Sequence, residues 1–355
     1  MMSLETVTRG RTIMHSSLLR KSLLRTSLMR TSLLSALLGV AALLPPETAS
    51  AQHAATQPRA ASAAQGAARI GTVVVAHGGD STWNAQVQQV AAQARTGGPV
   101  EVSFLMGAGA KTARFQDAVA RLTAAGVNEI VVVPMLVSSH SGHYGQIRYL
   151  AGDSVALDET MMHHLHMAGI ERPTPSVPMR VSKAMDDALP VARVLSDRAL
   201  AMTGNPGSEA LLIVGHGPNS AEDYAAWMGN LRTVADSVKT WTGFRDVRVE
   251  LVRDDAPAPV RAEAVRRVRE LIELQHGVTG RDVIVVPVLV STGSVSRDKV
   301  PNDIKGTRSR YVGLPLLPHP MMARWIEQRV REMSSAASSA APAFPASPAS
   351  PPPHR

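Results

Sequence analysis

The chain has 355 residues, of which 45% are hydrophobic and only 3% aromatic, and it contains no cysteine. That length suits two domains of roughly 150 residues each, and the missing thiols exclude disulfides, cysteine-linked lipid and thiolate metal ligands. Residues 1–51 carry six basic and two acidic side chains and the remainder 31 and 27, so the formal +8 falls to +4 beyond residue 51; without a basic stripe interleaved with aromatics, nucleic acid is not an expected partner.

Basic residues from Arg9 onward precede a short apolar stretch over 29–44, and Ala49-Ser-Ala51 supplies a small-residue cleavage pattern before Gln52. Residues 1–51 therefore read as a secretory signal peptide, which makes the mature protein periplasmic or secreted with no stable membrane span after cleavage. An uncleaved N-terminal anchor is the competing reading, and Met14 and Met29 are alternative starts. The leader has no Arg-Arg pair, so a twin-arginine route is not supported. Residues 52–68, rich in Ala and Gln, are expected to be a disordered linker.

The folded part opens with a β-type run, Thr72-Val-Val-Val-Ala-His77-Gly78. A helical pattern over 82–94, an alternating strand over 100–105, a Gly/Ala loop and an amphipathic helix over 115–125 follow, leading to a buried strand over 131–137. Residues 173–178 and a helical stretch over 180–200 complete the first copy, and Thr203-Gly-Asn-Pro-Gly207 reads as a linker. The second copy runs strand 211–215, helix 222–239, strand 247–252, helix 259–275 and strand 283–290, then an extended segment over 311–320 and a helix over 321–333. Residues 334–355, rich in Ala, Ser and Pro, are expected to be a disordered tail. Strand and helix alternate throughout, which predicts an α/β fold with two parallel sheets, one over 69–202 and one over 208–333.

The two copies share landmarks. Leu211-Leu-Ile-Val-Gly-His216-Gly217 repeats the first run, and about 55 to 70 residues after each histidine comes a second one, Val131-Val-Val-Pro134 and Ile284-Val-Val-Pro287. Matched landmarks in the same order predict an internal duplication. The copies then diverge: Pro134 leads to Ser139-His140-Ser-Gly142-His143, and Pro287 to Thr292-Gly293-Ser-Val-Ser296, without a histidine. In a parallel sheet the functional crevice lies outside the carboxyl ends of the strands, so His77, His140 and His143 are expected at one edge. Imidazole there suits a divalent Co, Ni, Zn or Fe ion, or proton transfer near neutral pH.

The His-Gly turn, the Phe104-Leu105 strand end and the Val-Val-Val-Pro134 strand leading to Gly142-His143 resemble the CbiX-type sirohydrochlorin cobaltochelatases. The likeness runs from about Ile70 to Met333. It implies a class II chelatase-like fold: two similar α/β domains with a tetrapyrrole and Co(II) in the cleft between them, and His77 and His143 as metal ligands and catalytic residues. His140 is the alternative ligand, because it stands only three residues before His143. The family often has Glu after the Phe-Leu pair, where this chain has Met106. His319, in a Pro-His-Pro turn, is given a structural role.

Other features carry less. His216 is read as scaffold, and Asp254 and Asp255 as a solvated loop, with acid groups reaching across the cleft as the alternative. In Met161-Met-His163-His164-Leu-His166-Met167, a helix would put His163 and His166 on one face; the tract either recruits metal or forms a lid whose Met residues meet an apolar ligand. Gly107-Ala-Gly109 lacks the rest of a nucleotide fingerprint, and the chain shows no nucleophile elbow. The expected function is an exported, ATP-independent insertion of a divalent metal, Co(II) favoured over Ni(II), Fe(II) or Zn(II), into a sirohydrochlorin-type tetrapyrrole. The alternative is a non-catalytic periplasmic metal or tetrapyrrole carrier on the same fold.

Overall fold

The computed structural model describes residues 69–154 and 156–340; the expected signal peptide, the 52–68 linker and residues 341–355 lie outside them. The first lobe contains β1 (Ile70–Ala76), α1 (Ser81–Gln93), β2 (Val100–Phe104), α2 (Gly107–Thr112), α3 (Phe115–Ala124), β3 (Glu129–Met135), α4 (Gly142–Leu150), α5 (Glu159–Ala168), β4 (Met179–Val181) and α6 (Leu189–Leu200). The second contains β5 (Ala210–Gly215), α7 (Ala221–Thr242), β6 (Asp246–Leu251), α8 (Ala258–Thr279), β7 (Val283–Val288), a π-helical turn at Val295–Lys299, α9 (Val300–Asp303), β8 (Ser309–Tyr311) and α10 (Pro320–Ala340).

Each lobe is built on a parallel four-stranded sheet, in the order β2-β1-β3-β4 and β6-β5-β7-β8. The continuous apolar runs of β1, β3, β5 and β7 fill the central positions, where helices cover both faces and all but the first residues of β1 and β3 are withdrawn from water. The outer strands β4 and β8 are three residues long for a chemical reason. β4 pairs with β3 only as far as Val132, and β8 with β7 only as far as Val285. Two residues on, Pro134 and Pro287 have no N–H to offer, so a longer outer strand would meet a gap in the ladder.

Several elements differ from the sequence reading. The Gly/Ala loop is the short helix α2, and the helix expected from residue 180 begins only at Leu189, because Met179–Val181 completes the sheet. α10 continues to Ala340, past Met333 where the disordered tail was expected to start.

The lobes exchange their last helices. α6, which follows the first sheet, packs on α7 and β7 of the second, while α10 packs on β3 and α1 of the first. Arg329 Nη2 donates to Ala184 O at 2.8 Å, Arg95 N to Glu327 Oε1 at 2.8 Å, and Arg198 Nη2 to Pro318 O at 2.9 Å. Val194, Leu195, Trp325 and Ile326 are fully buried by this exchange, each contributing roughly 1.5–3 kcal/mol by burial. The 202/208 boundary therefore divides the sheets but not the cores. Among the described residues no helix is long and apolar enough to cross a membrane.

The carboxyl ends of the two sheets meet across a cleft. Gln86 of α1 binds the loop after β7, accepting from Ser291 Oγ at 2.6 Å and Thr292 N at 3.0 Å. Reciprocally, Trp227 of α7 donates its indole N–H to His140 O, in the loop after β3, at 2.6 Å. Arg297 and Asp80 close one side with an ion pair at 2.8 Å.

Candidate metal centre

His77 directly follows β1, and its position depends on the next residue. Gly78 has φ +95°, and a Cβ there would lie 2.4 Å from the Met106 carbonyl oxygen, so only glycine permits the turn. The turn brings Gly78 O to 2.7 Å from His77 Nδ1. A carbonyl can only accept, so Nδ1 carries the proton and Nε2 keeps its lone pair.

His143 is the second residue of α4, whose first turn is capped by Ser141 Oγ accepting from Tyr144 N at 3.2 Å. The preceding loop is pinned by Asp186, whose carboxylate accepts from Ser139 N at 2.7 Å and Ser139 Oγ at 2.8 Å. His143 Nδ1 lies 2.8 Å from Gln146 Oε1. Gln146 is fully buried and its amide NH2 donates to Met161 O at 2.7 Å, which fixes the amide's orientation. Oε1 must then accept, and His143 too is held with its proton on Nδ1 and Nε2 available. The two rings meet edge to face with centroids 4.6 Å apart. Burial lowers the pKa of both: His77 falls below the ordinary histidine value, and His143, with the charge of His77 as the next contribution, falls to about 4. The result is a pair of neutral imidazoles with free Nε2 lone pairs, the form a metal requires.

The second lobe faces this pair with a different set. His216 follows β5 as His77 follows β1, and Gly217 repeats the turn at φ +86°. His216 Nδ1 lies 2.8 Å from Gly217 O, and Nε2 lies 3.0 Å from Asp255 Oδ2. Burial opposes the charge on His216, but the Asp255 hydrogen bond and the charges of Asp254 and Asp255 raise its pKa overall. Asp255 is depressed to about 2, chiefly by that same bond. The charges of His216 and Asp255 reach His77, so both lobes contribute to one electrostatic environment.

Of the residues singled out in the sequence, the fold brings together His77 and His143 and leaves His140 aside. The His140 ring is exposed, and this residue acts through its backbone, with its carbonyl on Trp227 and its N–H on Ser138 Oγ. The expectation for Asp254 is corrected: its side chain is 1% exposed and paired with Lys299 Nζ at 2.6 Å, so it is no solvated loop residue. His216 likewise belongs to the one three-ligand group of His and carboxylate side chains among the described residues, with Asp254 and Asp255. Lobe 2 has Ser296 and not a histidine where lobe 1 has His143, so its carboxylates carried no matching motif in the sequence.

In α5, His163 and His166 are exposed, and His164 turns inward instead. Its Nδ1 is buried without a hydrogen-bond partner, its charge reaches His77 and His143, and it lines an open cavity of about 420 Å³ with Met106, Gly107, Ala108, Lys111 and Met167. The buried face of α5 is set by Leu165, which helical periodicity alone did not select. His319 accepts from Met321 N at 3.2 Å at the start of α10 and faces Asp197 of α6 at 3.4 Å.

Comparison with known proteins bears on the fold that carries this site. Residues 71–201 match the family model described as CbiX. No curated protein matches the chain in sequence. Among solved structures, the chain is similar to SirB from Bacillus subtilis with Fe3+, at TM-score 0.54 and 16% identity, covering 77% of this chain and 98% of that one. It is similar also to the sirohydrochlorin chelatase SirB from Bacillus subtilis subspecies spizizenii in complex with cobalt, at TM-score 0.51 and 15% identity, with 77% and 98% covered. At that identity the likeness establishes the fold, two α/β lobes of chelatase type. The first lobe, residues 71–201 from the His77 strand to the end of α6, is a CbiX-family domain.

Proposed function

We propose that the protein inserts a divalent metal, Co(II) by preference, into a sirohydrochlorin-type tetrapyrrole bound in the cleft between its lobes. The observation that carries this reading is the convergence of His77 and His143 with both Nε2 atoms unprotonated. The ion is a substrate, held by two imidazoles against the macrocycle. Insertion displaces two pyrrole N–H protons for each divalent ion, so bases must be at hand. Each imidazole Nε2 becomes a base as the ion leaves it for the macrocycle, and Asp255 across the cleft supplies a carboxylate that stays ionised. The cavity walled by Met106, Ala108 and Met167, with Lys111 and His164 among them, offers an apolar surface for a macrocycle and a cation for its peripheral carboxylates.

The test is direct. Full-length protein is mixed with sirohydrochlorin and Co(II), Ni(II) or Fe(II), and the visible spectrum is followed; faster insertion than in buffer, abolished in His143→Ala, is expected. No acceleration with any of the three ions refutes an enzymatic role. A second reading, a carrier that binds metal or tetrapyrrole without turnover, is favoured by Met106, which stands where the family often has an acidic residue. It predicts binding of the macrocycle with no acceleration.

We propose in addition that the protein is exported, on the basic, apolar and Ala49-Ser-Ala51 pattern of the leader. Native protein is expected to begin near Gln52 and to be found outside the cytoplasm. An intact Met1 or Met29 terminus in a cytosolic fraction, read by mass spectrometry, contradicts this.

A further inference from the structure

The second lobe has lost the histidine that would pair with His216, yet it has not become inert. His216, Asp254 and Asp255 each offer one ligand atom within 4.8 Å of the others. His77 is not a member of that group. We propose that these three side chains form a second divalent-metal site, in the second lobe and separate from the His77–His143 pair.

Three observations support it. Asp254 Oδ1 is a buried acceptor without a hydrogen bond, on a side chain only 1% exposed, and it lies 3.2 Å from His216 Nδ1, whose proton is already given to Gly217 O. A carboxylate oxygen withdrawn from water and left unpaired is costly unless a cation or proton compensates it. Lys299 satisfies the other oxygen, at 2.6 Å, and leaves Oδ1 open.

The second observation is the tautomer of His216. Its Nδ1 proton is committed to Gly217 O at 2.8 Å, so an uncharged ring would put an Nε2 lone pair against Asp255 Oδ2 at 3.0 Å. That contact is favourable only with a positive centre between the two atoms, either a proton or a metal ion. The distance suits both: ligands about 2.1 Å from one ion at angles of 90–110° lie roughly 3.0–3.4 Å apart.

The third is access. Asp255 is 62% and His216 36% exposed, so an ion can reach them from the cleft without unfolding the lobe. One imidazole and two carboxylates suit a borderline first-row divalent ion such as Co(II), Fe(II) or Zn(II). The Lys299 ammonium offsets one of the two negative charges, which favours exchangeable over tight binding. Opposite the His77–His143 pair, such a site would stage an ion for transfer across the cleft.

This inference concerns metal binding alone and stands whether or not the protein turns over a tetrapyrrole. The experiment is titration calorimetry of the full-length protein with Co(II), with Co(II) absorption bands as a second readout. Two ions per chain are expected. His216→Gln and Asp255→Asn should each remove one and leave the other within about twofold of its affinity, whereas His77→Gln and His143→Gln should remove the other. Asp255 is exposed, so Asp255→Asn retains the fold if His216→Gln does not, and thermal unfolding checks both. Two ions bound unchanged in His216→Gln and Asp255→Asn overturn the proposal. So does a single ion lost equally on substitution in either lobe, which would mean one shared site.

Discussion

The amide of Gln146 is predicted to set the metal affinity of a histidine it never shares a ligand with. Gln146 is fully buried, accepts from His143 Nδ1 at 2.8 Å and donates to Met161 O at 2.7 Å. Gln146→Leu removes both bonds at nearly constant volume. It leaves the Nδ1 proton and the Met161 carbonyl unpaired, at about 1–3 kcal/mol for each group left unsatisfied in the interior, which sums to roughly 2–6 kcal/mol. At about 2 °C per kcal/mol for a fold of this size, that is a fall in Tm of about 4–12 °C. The ring is then free to rotate or to exchange tautomer, and loss of such an outer partner typically weakens metal binding about 10–100-fold. Gln146→Glu separates the two effects. Its carboxylate still accepts from Nδ1 and keeps Nε2 available, but it repels the Met161 carbonyl. It should lower Tm while leaving Co(II) affinity within a few-fold of wild type. Calorimetric titration and thermal unfolding of the two variants decide the matter. Wild-type affinity in Gln146→Leu, or equal losses in Gln146→Leu and Gln146→Glu, would refute the argument that the tautomer is what matters.

His77→Ala and His143→Ala should each weaken Co(II) binding at the first-lobe site at least about tenfold, the scale of about 1.4 kcal/mol, as read by calorimetry. Because burial holds His143 near 4 and His77 below its ordinary value, affinity there should begin to fall only at a lower pH than at a site of exposed histidines, as read by titration calorimetry across a pH series. The same shifts act on stability: between about pH 6.5 and 4 the unfolded chain binds more protons at these positions than the folded one, so stability falls as pH falls through that window. His143→Gln should accordingly lose less Tm between pH 7 and 5 than wild type does. Trp227→Phe removes the indole N–H from His140 O; thermal unfolding should show a loss of roughly 1 kcal/mol, and Co(II) affinity should drop if that contact holds the His143 loop in place.

Much of this molecule is legible in the chain because its signals are local. Val131 to Val133 and Ile284 to Val286 read as strands buried on both faces, since no polar residue interrupts them, and they lie centrally in their sheets. The His-Gly pairs mark strand ends, because each glycine turns with positive φ in a crowded place, Gly78 against the Met106 carbonyl and Gly217 against the Leu251 side chain. His143 stands next to His77 because a parallel topology sends both strand ends to one edge.

What escaped the sequence has non-local causes. Nothing in α6 or α10 states which sheet it covers: an apolar stripe specifies burial, and only the assembled lobes decide against what. The three-residue strands β4 and β8 are too short for a periodicity and form because a neighbour offers free carbonyls up to the proline. Asp254 and Asp255 look like any polar loop until the fold places one against Lys299 and both against His216. His164 is selected over His163 and His166 by the burial of Leu165, not by spacing within the helix. By itself the sequence determined the strand-helix order, the parallel sheets and the first-lobe histidine pair, all consequences of short-range pattern and strand direction. Only the tertiary structure decided the exchange of terminal helices and the carboxylate-histidine group of the second lobe, because each depends on atoms distant in the chain and adjacent only in the folded protein; the histidine tautomers follow from near neighbours, Gly78, Gln146 and Gly217, whose geometry the sequence did not state.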